Sequence, residues 1–261
     1  MKIPFYKYQG AGNDFVVIDN RSLTFDDKNI ELVEFLCHRR FGIGADGLML
    51  LQNSESFDFE MRYYNSDGRE ASMCGNGGRC IVAFAKKLGI IDRTTTFMAV
   101  DGMHQARVCN DGDIDLQMID VEKIDPHVDG DFLNTGSPHL VKFVPDLHVV
   151  DVEIEGRQLR YDARFQPSGT NVNFVHQLGN ELTVYTYERG VECETLACGT
   201  GITASALSAA LRSGMHQGTY SVKAKGGNLS VRFKRTNDHF TDVWLKGPAQ
   251  LVYQGEIEVN F

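Results

Sequence analysis

Apolar and polar side chains alternate at the start of the chain. The segments KIPFYKYQG (2–10) and NDFVVIDN (13–20) both show this alternation, which predicts two short β-strands joined at a glycine-containing turn. From Ile81 to Leu88 the apolar residues recur instead at i, i+3, i+4 and i+7, the spacing of an amphipathic helix. Gly89 then provides a stop at its C-terminal end. The first third of the chain is therefore predicted to run from strands into a helix.

A similar order returns in the second half of the chain. The segment GITASALSAALRSG (201–214) has small or apolar residues almost all round, which predicts a helix buried within its domain. Two further segments, MAVDGMHQARV (98–108) and VKAKGGNLSVRF (222–233), alternate in polarity and are interrupted by glycine-containing turns. Each is predicted to form a pair of strands, and each follows a helix.

Two motifs repeat at one spacing. The stretches EASMCGNGG and ETLACGTG place Cys74 and Cys198 in nearly identical glycine-rich turns, 124 residues apart. The same spacing carries Gly12 onto Gly136, and these glycines open the segments GNDFVV and GSPHLV. A period of this length indicates a duplicated domain and not a solenoid of short repeats.

The predicted fold class is α+β, with two pseudo-symmetric domains from an internal duplication. Each domain is predicted to have a mixed or antiparallel sheet wrapped around a central helix, with the active site in the interdomain cleft. The boundaries are 1–122 for the N-terminal domain and 123–249 for the C-terminal domain, with a linker near 123–132, where proline, glycine and charged residues meet. The last strand has no counterpart before that linker, so residues 250–261 are predicted to complete the sheet of the first domain.

The composition narrows the class of protein. The chain has 261 residues, of which 42% are apolar and 23% charged, as in soluble globular proteins. A net charge of −9 argues against nucleic-acid and membrane partners, which need a basic surface. The pairs Arg39–Arg40 and Lys86–Lys87 are expected to be solvated. Neither a signal peptide nor a membrane span is recognisable, so a cytoplasmic protein is predicted.

The six cysteines are predicted to be free thiols, as is usual in the cytoplasm. Cys37, Cys80 and Cys109 are expected to be structural. Only Cys193 and Cys198 are spaced like metal ligands, and no second ligand pair follows them. No metal site is therefore predicted.

The repeated turn gives each domain one cysteine at the start of a helix. Backbone N–H groups and the helix dipole favour a thiolate there, and neighbouring glycines let an anionic ligand approach closely. Cys74 considered alone would be interpreted as a buried structural thiol, but its repetition as Cys198 favours a chemical role. Two thiols suit a racemase or epimerase, which removes a proton from one face of a carbon and returns a proton to the other.

Five motifs, in this order, resemble the diaminopimelate epimerase family: GAGNDFVV, YNSDGREASMCGNGGRC, GSPHLV, YERGVECETLACGTG and GPA. The resemblance runs from residue 8 to about residue 255. It implies an isomerase that interconverts LL- and meso-2,6-diaminopimelate in lysine and peptidoglycan-precursor biosynthesis. Neither pyridoxal phosphate nor another cofactor is implied, and a homodimer is compatible with the sequence.

The resemblance also implies roles for individual residues. Cys74 and Cys198 would be the acid/base pair, and Glu188 and His139 would support catalysis near the reacting centre. The residues implied in substrate binding are Asn13, Asn65, Gly75, Asn76, Asn171, Glu188, Arg189, Gly199 and Thr200. Those at the two helix starts would hold the reacting carboxylate, and the other asparagines with Arg189 would recognise mostly the distal end of the substrate.

One position departs from the family pattern. Ser137 stands where the family usually has an asparagine that helps to hold the distal end of the substrate, so a water or a side chain such as Asn134 is expected to substitute. The nearby His139 considered alone would be interpreted as a histidine of a surface loop.

Alternative functions remain open at this point. The first is another cofactor-independent racemase of the same fold, of the proline or histidine type. The second is a redox protein that joins Cys74 and Cys198 reversibly, although these cysteines lack a C-x-x-C arrangement. A binding module without catalysis would not need the second thiol.

Overall fold

The computed structural model of the chain describes residues 1–72 and 74–259. These residues divide into two compact units. The first unit comprises Met1–Leu116 and the segment that begins at Pro248, and the second comprises Gln117–Gly247. Over the described residues, none of the helices has the length and apolar character needed to cross a membrane.

The first unit is a mixed sheet with two helices. The elements of its first segment are β1 (Lys2–Gly10), β2 (Asn13–Asp19), α1 (Ile30–Cys37), β3 (Gly47–Gln52), β4 (Phe59–Asn65), α2 (Gly75–Lys87), β5 (Thr94–Ala99), β6 (Gly102–Val108) and β7 (Ile114–Gln117). Gln117, the last residue of β7, belongs to the second unit. The pairs β1–β2 and β3–β4 are antiparallel, whereas β2–β3 and β4–β5 are parallel. Strands β5, β6 and β7 then form an antiparallel meander.

The second unit repeats this arrangement. Its elements are β8 (Asp125–His127), β9 (Gly130–Asn134), β10 (Pro138–Phe143), α3 (Val152–Arg160), β11 (Asn171–Leu178), β12 (Glu181–Glu188), β13 (Cys193–Thr195), α4 (Gly199–Ser213), β14 (Gln217–Ala224), β15 (Gly227–Thr236) and β16 (His239–Gly247), with short 3-10 turns at Leu147–Val149 and Ala163–Phe165. Here β9–β10 and β11–β12 are antiparallel, while β10–β11 and β12–β14 are parallel. Strands β14, β15 and β16 close the series as an antiparallel meander. The same alternation of pairings in both units confirms the predicted α+β fold built on a duplication.

The final strand, β17 (Gln250–Glu258), returns to the first unit, where it pairs antiparallel with β1. Lys2 lies opposite Glu258 and Gln9 opposite Gln250. The last two residues of the predicted strand 250–261 lie outside the described residues.

The two predicted helices are α2 and α4, and each is the central buried helix of its unit. Helix α2 packs on β1 and β2, and α4 packs on β10, β11 and β12. Almost every residue of α4 from Gly199 to Ala210 is buried, as its uniformly small and apolar sequence predicts. The buried hydroxyls of Thr203 and Ser205 bond back to carbonyls of the preceding turn, for example Thr203 Oγ1 to Gly199 at 2.9 Å. The buried Ser208 hydroxyl donates instead to a carboxylate oxygen of Asp131, so none of the three remains unsatisfied.

Each unit also contains a second helix that the hydrophobic pattern did not predict. Helix α1 begins at the N-cap Asn29 and α3 at the N-cap Asp151, and both caps accept a hydrogen bond from a backbone N–H of the first turn. Helix α3 contains Gly156, where a Cβ would lie 2.4 Å from Tyr187 Cβ. The close approach of α3 to the sheet explains a glycine that in the sequence alone argues against a helix.

The predicted linker is a β-hairpin. Strands β8 and β9 pair across the segment 125–134, with Asp125 opposite Phe132 and His127 opposite Gly130. The proline, glycine and charges that indicated a linker are thus those of a short surface hairpin.

Candidate active site

The first cysteine of the repeat is the N-cap of the central helix of its unit. Cys74 has extended backbone angles, φ −101° and ψ 150°, and its Sγ accepts the backbone N–H of Gly77 at 3.2 Å. Sulfur thus takes the place of the oxygen that usually caps a helix. Because an N–H donor and the positive end of the helix dipole both favour negative charge, this position stabilises a thiolate.

Asn13, at the start of β2, is oriented toward that sulfur. Its Nδ2 donates to a carboxylate oxygen of Asp46, which can only accept, so the amide oxygen must point the other way. Asn13 Oδ1 lies 3.9 Å from Cys74 Sγ and accepts from Asn76 Nδ2 at 3.4 Å. The structure therefore brings together three of the predicted site residues of the first unit, Asn13, Cys74 and Asn76.

A cluster of charges that the sequence did not identify holds this asparagine. Arg39 donates to both oxygens of Asp14, at 3.0 and 2.7 Å, and to Asp46 at 2.7 Å, while the buried Lys7 lies 2.6 Å from Asp14. Burial alone would raise the pKa of Asp14, but the hydrogen bonds from Arg39 and Lys7 hold it well below its usual range. Arg39 is therefore bound to two carboxylates while its side chain remains 59% exposed, so it is solvated as expected and forms ion pairs in addition.

Asn65 is placed differently from the other asparagines. It ends β4 opposite Gly47, and its side chain is exposed. Its backbone N–H donates to Arg69 and its carbonyl accepts from Gly68, so the backbone closes a turn. No contact of its side chain with Cys74 is part of the described structure.

The second cysteine of the repeat, Cys198, is the N-cap of α4 and is buried. In the described structure its sulfur makes no side-chain capping bond; instead it lies 3.4 Å from Thr200 Oγ1. Thr200 Oγ1 in turn lies 2.9 Å from His139 Nε2, and Ser137 Oγ lies 3.1 Å from Thr200 Oγ1 and 2.9 Å from the same ring nitrogen. A continuous set of hydrogen bonds thus connects His139 to the thiol.

His139 lies in strand β10 and is fully buried, so the interpretation as a surface-loop histidine was wrong. Burial, with a further contribution from the charge of Arg189, lowers the pKa of His139 to about 3. The imidazole is therefore neutral at physiological pH, and one ring nitrogen carries the proton.

Asn173 determines which nitrogen that is. Its Nδ2 lies 3.3 Å from the Leu140 carbonyl, which only accepts, and 3.1 Å from His139 Nδ1, while its Oδ1 accepts from Thr186 Oγ1 at 2.9 Å. His139 Nδ1 must therefore accept, and Nε2 carries the hydrogen and donates to Ser137 or Thr200. That donation leaves a hydroxyl proton available to the sulfur of Cys198. Asn173 is not among the predicted site residues, although NVNF places it on the same side of β11 as Asn171.

The start of α4 approaches Asn173 so closely that only glycine fits at position 201. A Cβ there would lie 2.3 Å from Asn173 Oδ1 and 3.2 Å from His139 Cε1. The repeated Cys-Gly-x-Gly pattern is thus required by packing around the histidine in this unit, in addition to any approach of a ligand.

The remaining predicted residues of the second unit form a neighbouring group. Asn171 Nδ2 donates to the Pro138 carbonyl at 2.9 Å and to Ser137 Oγ at 3.3 Å, and its Oδ1 accepts the backbone N–H of Arg189 at 2.9 Å. Asn171 therefore fixes the backbone at Arg189, whose guanidinium is partly exposed and donates to the Ser168 carbonyl at 3.3 Å.

Two other side chains near this group have different partners from those expected. Glu188 accepts from Thr195 Oγ1 at 2.9 Å and is not among the hydrogen-bond partners of His139 in the described residues. Asn134 caps its own turn by accepting the N–H of Gly136 at 2.9 Å, whereas Ser137 is the residue that contacts His139 and Asn171. Each of the six cysteines is a thiol and not part of a disulfide, and burial raises the pKa of both Cys37 and Cys80 to about 12.

Solved structures with the same fold have distant sequences. A phenazine biosynthesis protein of the PhzF family from Bacillus anthracis aligns with a TM-score of 0.77 at 15% identity, over 99% of this chain and 100% of that chain. A hydroxyproline epimerase from Agrobacterium vitis aligns with a TM-score of 0.73 at 15% identity, over 98% and 92%. Likeness at this level shows the fold alone.

Sequence relatives are much closer. The diaminopimelate epimerase of Flavobacterium psychrophilum is 51% identical over 97% of this chain and 99% of its own length, and that of Chlorobaculum tepidum is 42% identical over 95% and 98%. The family model for diaminopimelate epimerase matches residues 5–124 and again residues 132–252, once for each copy of the repeat. This chain therefore belongs to the diaminopimelate epimerase family.

Proposed function

We propose that this protein is an isomerase that converts LL-2,6-diaminopimelate to the meso isomer without pyridoxal phosphate, using Cys74 and Cys198 as its two acid/base groups. The observation that carries the proposal is that both cysteines are N-caps of the central helix of their units, each with a hydrogen-bond donor at its sulfur. The names of the relatives at 51% and 42% identity supply the substrate.

The reaction requires the two sulfurs to reach opposite faces of one α-carbon. The thiolate takes the α-proton, so a C–H bond breaks and an S–H bond forms; the opposite thiol gives its proton to the other face and becomes the thiolate. The electron pair of the broken C–H bond spreads into the substrate carboxylate and then forms the new C–H bond. The product has the inverted configuration, and the two sulfurs have exchanged protonation states.

The negative charge that spreads into the carboxylate must be strongly stabilised for the C–H bond to break. An amino-acid α-hydrogen is less acidic than a thiol by more than about ten pKa units, or upward of roughly 14 kcal/mol at 1.36 kcal/mol per unit. One charge-assisted hydrogen bond contributes only about 1.5–3 kcal/mol. Several N–H donors must therefore act together, and we assign this to the helix starts at Gly75, Asn76, Gly199 and Thr200.

The surrounding residues have supporting roles in this proposal. Neutral His139 donates its one N–H to the Thr200 or the Ser137 hydroxyl, which supports the sulfur of Cys198 in either protonation state. Arg189, held by Asn171, would bind the distal carboxylate, and Asn13 and Asn65 would bind other polar groups of the substrate. Glu188, beside Arg189, would assist as an acid/base or ammonium-binding group.

The decisive test is incubation with LL-diaminopimelate in D2O after treatment of the protein with hydroxylamine to remove carbonyl cofactors. We expect meso product with one deuterium at the inverted centre, because thiols exchange their protons with solvent between turnovers. Free proline and histidine serve as alternative substrates in parallel reactions. Exchange with either of these but not with diaminopimelate would instead favour a racemase of the proline or histidine type.

We also propose that the protein acts as a cytoplasmic homodimer without nucleic-acid or membrane partners. Its charge of −9 and free cysteines favour such a setting. The strand β17 exposes three apolar side chains in succession, Leu251, Val252 and Tyr253, at 38%, 56% and 45%. A second copy that covered this strip would remove an apolar patch from water.

The dimer is tested by light scattering after size-exclusion chromatography. We expect twice the chain mass of 29.2 kDa, and a substantial shift to the single mass in Val252→Lys, because a lysine ammonium would be desolvated in the interface. Val128→Lys, on the fully exposed tip of the β8–β9 hairpin, is the matched control and should leave the mass unchanged. A wild-type protein at 29.2 kDa would refute the dimer.

A further inference from the structure

A fully buried arginine lies within the first turns of α2. Arg79 has no solvent exposure, and its guanidinium donates to the Gly75 carbonyl at 3.1 Å, to Asn76 Oδ1 at 2.8 Å and to the Pro248 carbonyl at 3.3 Å. All three acceptors are neutral. No carboxylate of the described residues lies within ion-pair distance of it, so a positive charge is buried without a direct anionic partner. Such a charge is costly unless a nearby anion balances it.

Three titratable groups are close enough to influence this charge. Burial lowers the pKa of Arg79, and Cys80, Cys74 and Asp113 oppose that effect. Cys80 is itself fully buried, and burial raises its pKa to about 12, so it remains a neutral thiol near pH 7. Asp113 is half-buried and lies beyond ion-pair distance. Cys74, whose sulfur accepts the Gly77 N–H at the start of the same helix, is the group of the three that can supply the balancing charge. It does so by losing the proton that otherwise lies toward Asn13 Oδ1, 3.9 Å from the sulfur.

The duplication provides a natural comparison. The residue 124 positions after Arg79 is Thr203, which is also fully buried and bonds to the carbonyl of Gly199 at 2.9 Å. Gly199 is the counterpart of Gly75, so the two side chains contact the same carbonyl of their helices. One of them is a cation and the other a neutral hydroxyl.

The remaining groups of the second unit do not replace that cation. The hydroxyl of Thr200 contacts the sulfur of Cys198, and neutral His139 in turn contacts that hydroxyl. The nearest charged side chain along the chain, Glu194, is partly exposed and forms an ion pair with Lys225 at 2.6 Å. Glu188 and Arg189 are also partly exposed and are opposite in sign to each other. Solvent screens both of them more than it screens Arg79.

We propose that Arg79 is the counter-charge of the Cys74 thiolate, so that in the resting protein Cys74 carries the negative charge and Cys198 keeps its proton. The assignment of a resting base and a resting acid rests on the proposed function; the effect of Arg79 on Cys74 does not. Arg79 does not touch the substrate in this proposal. It acts through Cys74, as a positioning residue whose positive charge stabilises the negative charge on that sulfur. The substrate isomer whose α-hydrogen faces Cys74 is then the one that the resting protein is ready to deprotonate.

The proposal is tested on the protein without substrate. The rate at which iodoacetamide alkylates each cysteine is followed by peptide mass spectrometry from pH 5 to pH 10, since only the thiolate reacts. The midpoint of each pH–rate profile depends on ionisation and not on exposure. In the wild-type protein we expect a lower midpoint for Cys74 than for Cys198. Equal midpoints, or a lower midpoint for Cys198, would overturn the proposal.

Three variants separate charge from packing. Arg79→Met should raise the midpoint of the Cys74 profile by about one pH unit. At a given pH below the midpoint, iodoacetamide would then alkylate Cys74 about tenfold more slowly. Arg79→Lys, which keeps the charge, should restore most of the shift, and Thr203→Val, the matched change in the other helix, should leave Cys74 unaffected. An unchanged Cys74 midpoint in a folded Arg79→Met protein would overturn the proposal. If that variant does not fold, the comparison of the Cys74 and Cys198 midpoints in the wild-type protein decides.

The outcome is independent of the proposed function. A protein that epimerises diaminopimelate but shows no effect of Arg79 would overturn only the role of Arg79. A protein that shows the shift in Cys74 but fails to epimerise would overturn the proposed function and leave Arg79 as the charge partner of a thiolate.

Discussion

Replacement of either Cys74 or Cys198 by alanine is expected to lower kcat/KM for epimerisation by about a thousandfold or more. General acid/base groups contribute roughly 10²–10⁴-fold each, and inversion needs both because one sulfur cannot serve both faces of the carbon. Neither change should unfold the protein, since Cys74 is half-buried and Cys198 packs at a helix start where alanine is smaller than cysteine. The measurement is the initial rate of meso product formation at several substrate concentrations.

The two variants should also differ from each other in a way that identifies the bases. Each retains one thiol, which can remove a proton only from the face of the carbon that it approaches. In D2O we therefore expect residual exchange without inversion, from the LL isomer in one variant and from the reacting centre of the meso isomer in the other. Loss of both exchanges in both variants would point to general damage and not to removal of one base.

Matched controls are available in each unit. Cys109→Ala in the first unit and Cys193→Ala in the second remove half-buried thiols to which no role is assigned. Both should retain activity within a few-fold of wild type. Full activity in Cys74→Ala or Cys198→Ala would refute the two-thiol mechanism, whatever the controls show.

The elements that could be predicted from the sequence are those whose signal is local. Helices α2 and α4 have apolar or small residues at helical spacing and glycine at their ends, and the structure confirms them. Helices α1 and α3 are only 8 and 9 residues long, and α3 carries a central glycine, so their apolar pattern is too short to distinguish them from loops. They are stabilised by packing on the sheet, through clusters that include Leu36 with Leu48 and Val152 with Phe174.

The same distinction applies to the site. Cys74 and Cys198 could be predicted as site residues because a repeated motif is visible in one sequence. The partners of those thiols come from distant strands: Asn173 lies 34 residues from His139, and Asp46 lies 33 residues from Asn13. Nothing in the local sequence around His139 indicates that it is buried, because its environment is made by β11 and α4. Contacts of this kind depend on strand register, which a single sequence does not specify.

The stability of the second unit is expected to fall steeply between pH 6.5 and pH 4.5 because of one residue, His139. Its ordinary pKa is 6.5, and burial lowers the folded value to about 3. Well above pH 6.5 the imidazole is neutral in both the folded and unfolded chains, and the full stability is present. As the pH falls below 6.5 the unfolded chain binds a proton that the folded protein does not, so stability is lost until the pH reaches the folded pKa.

The size of this effect follows from the same linkage. The slope of the loss is half its limit at pH 6.5 and approaches 1.36 kcal/mol per pH unit below it, so the loss between pH 6.5 and pH 4.5 is about 2 kcal/mol. The range ends at pH 4.5 because ordinary carboxylates begin to titrate below it. The unfolding free energy is measured by urea titration at each pH, with the fluorescence of Trp244 as the probe. Trp244 is the one tryptophan of the chain and lies in β16 of the second unit, the unit that contains His139.

The histidine is isolated by comparing slopes among variants. His139→Gln keeps a side-chain N–H donor without a group that titrates in this range, so its unfolding free energy should decrease by about 2 kcal/mol less than that of wild type over the same interval. His148→Gln, at an exposed histidine of the same unit, should retain the wild-type slope. If wild type and His139→Gln had equal slopes, His139 would bind a proton in the folded state. Nε2 and Nδ1 would then both be donors, and the orientation of Asn173 toward the ring, with the donation from neutral His139 to Thr200 that follows from it, would have to be abandoned.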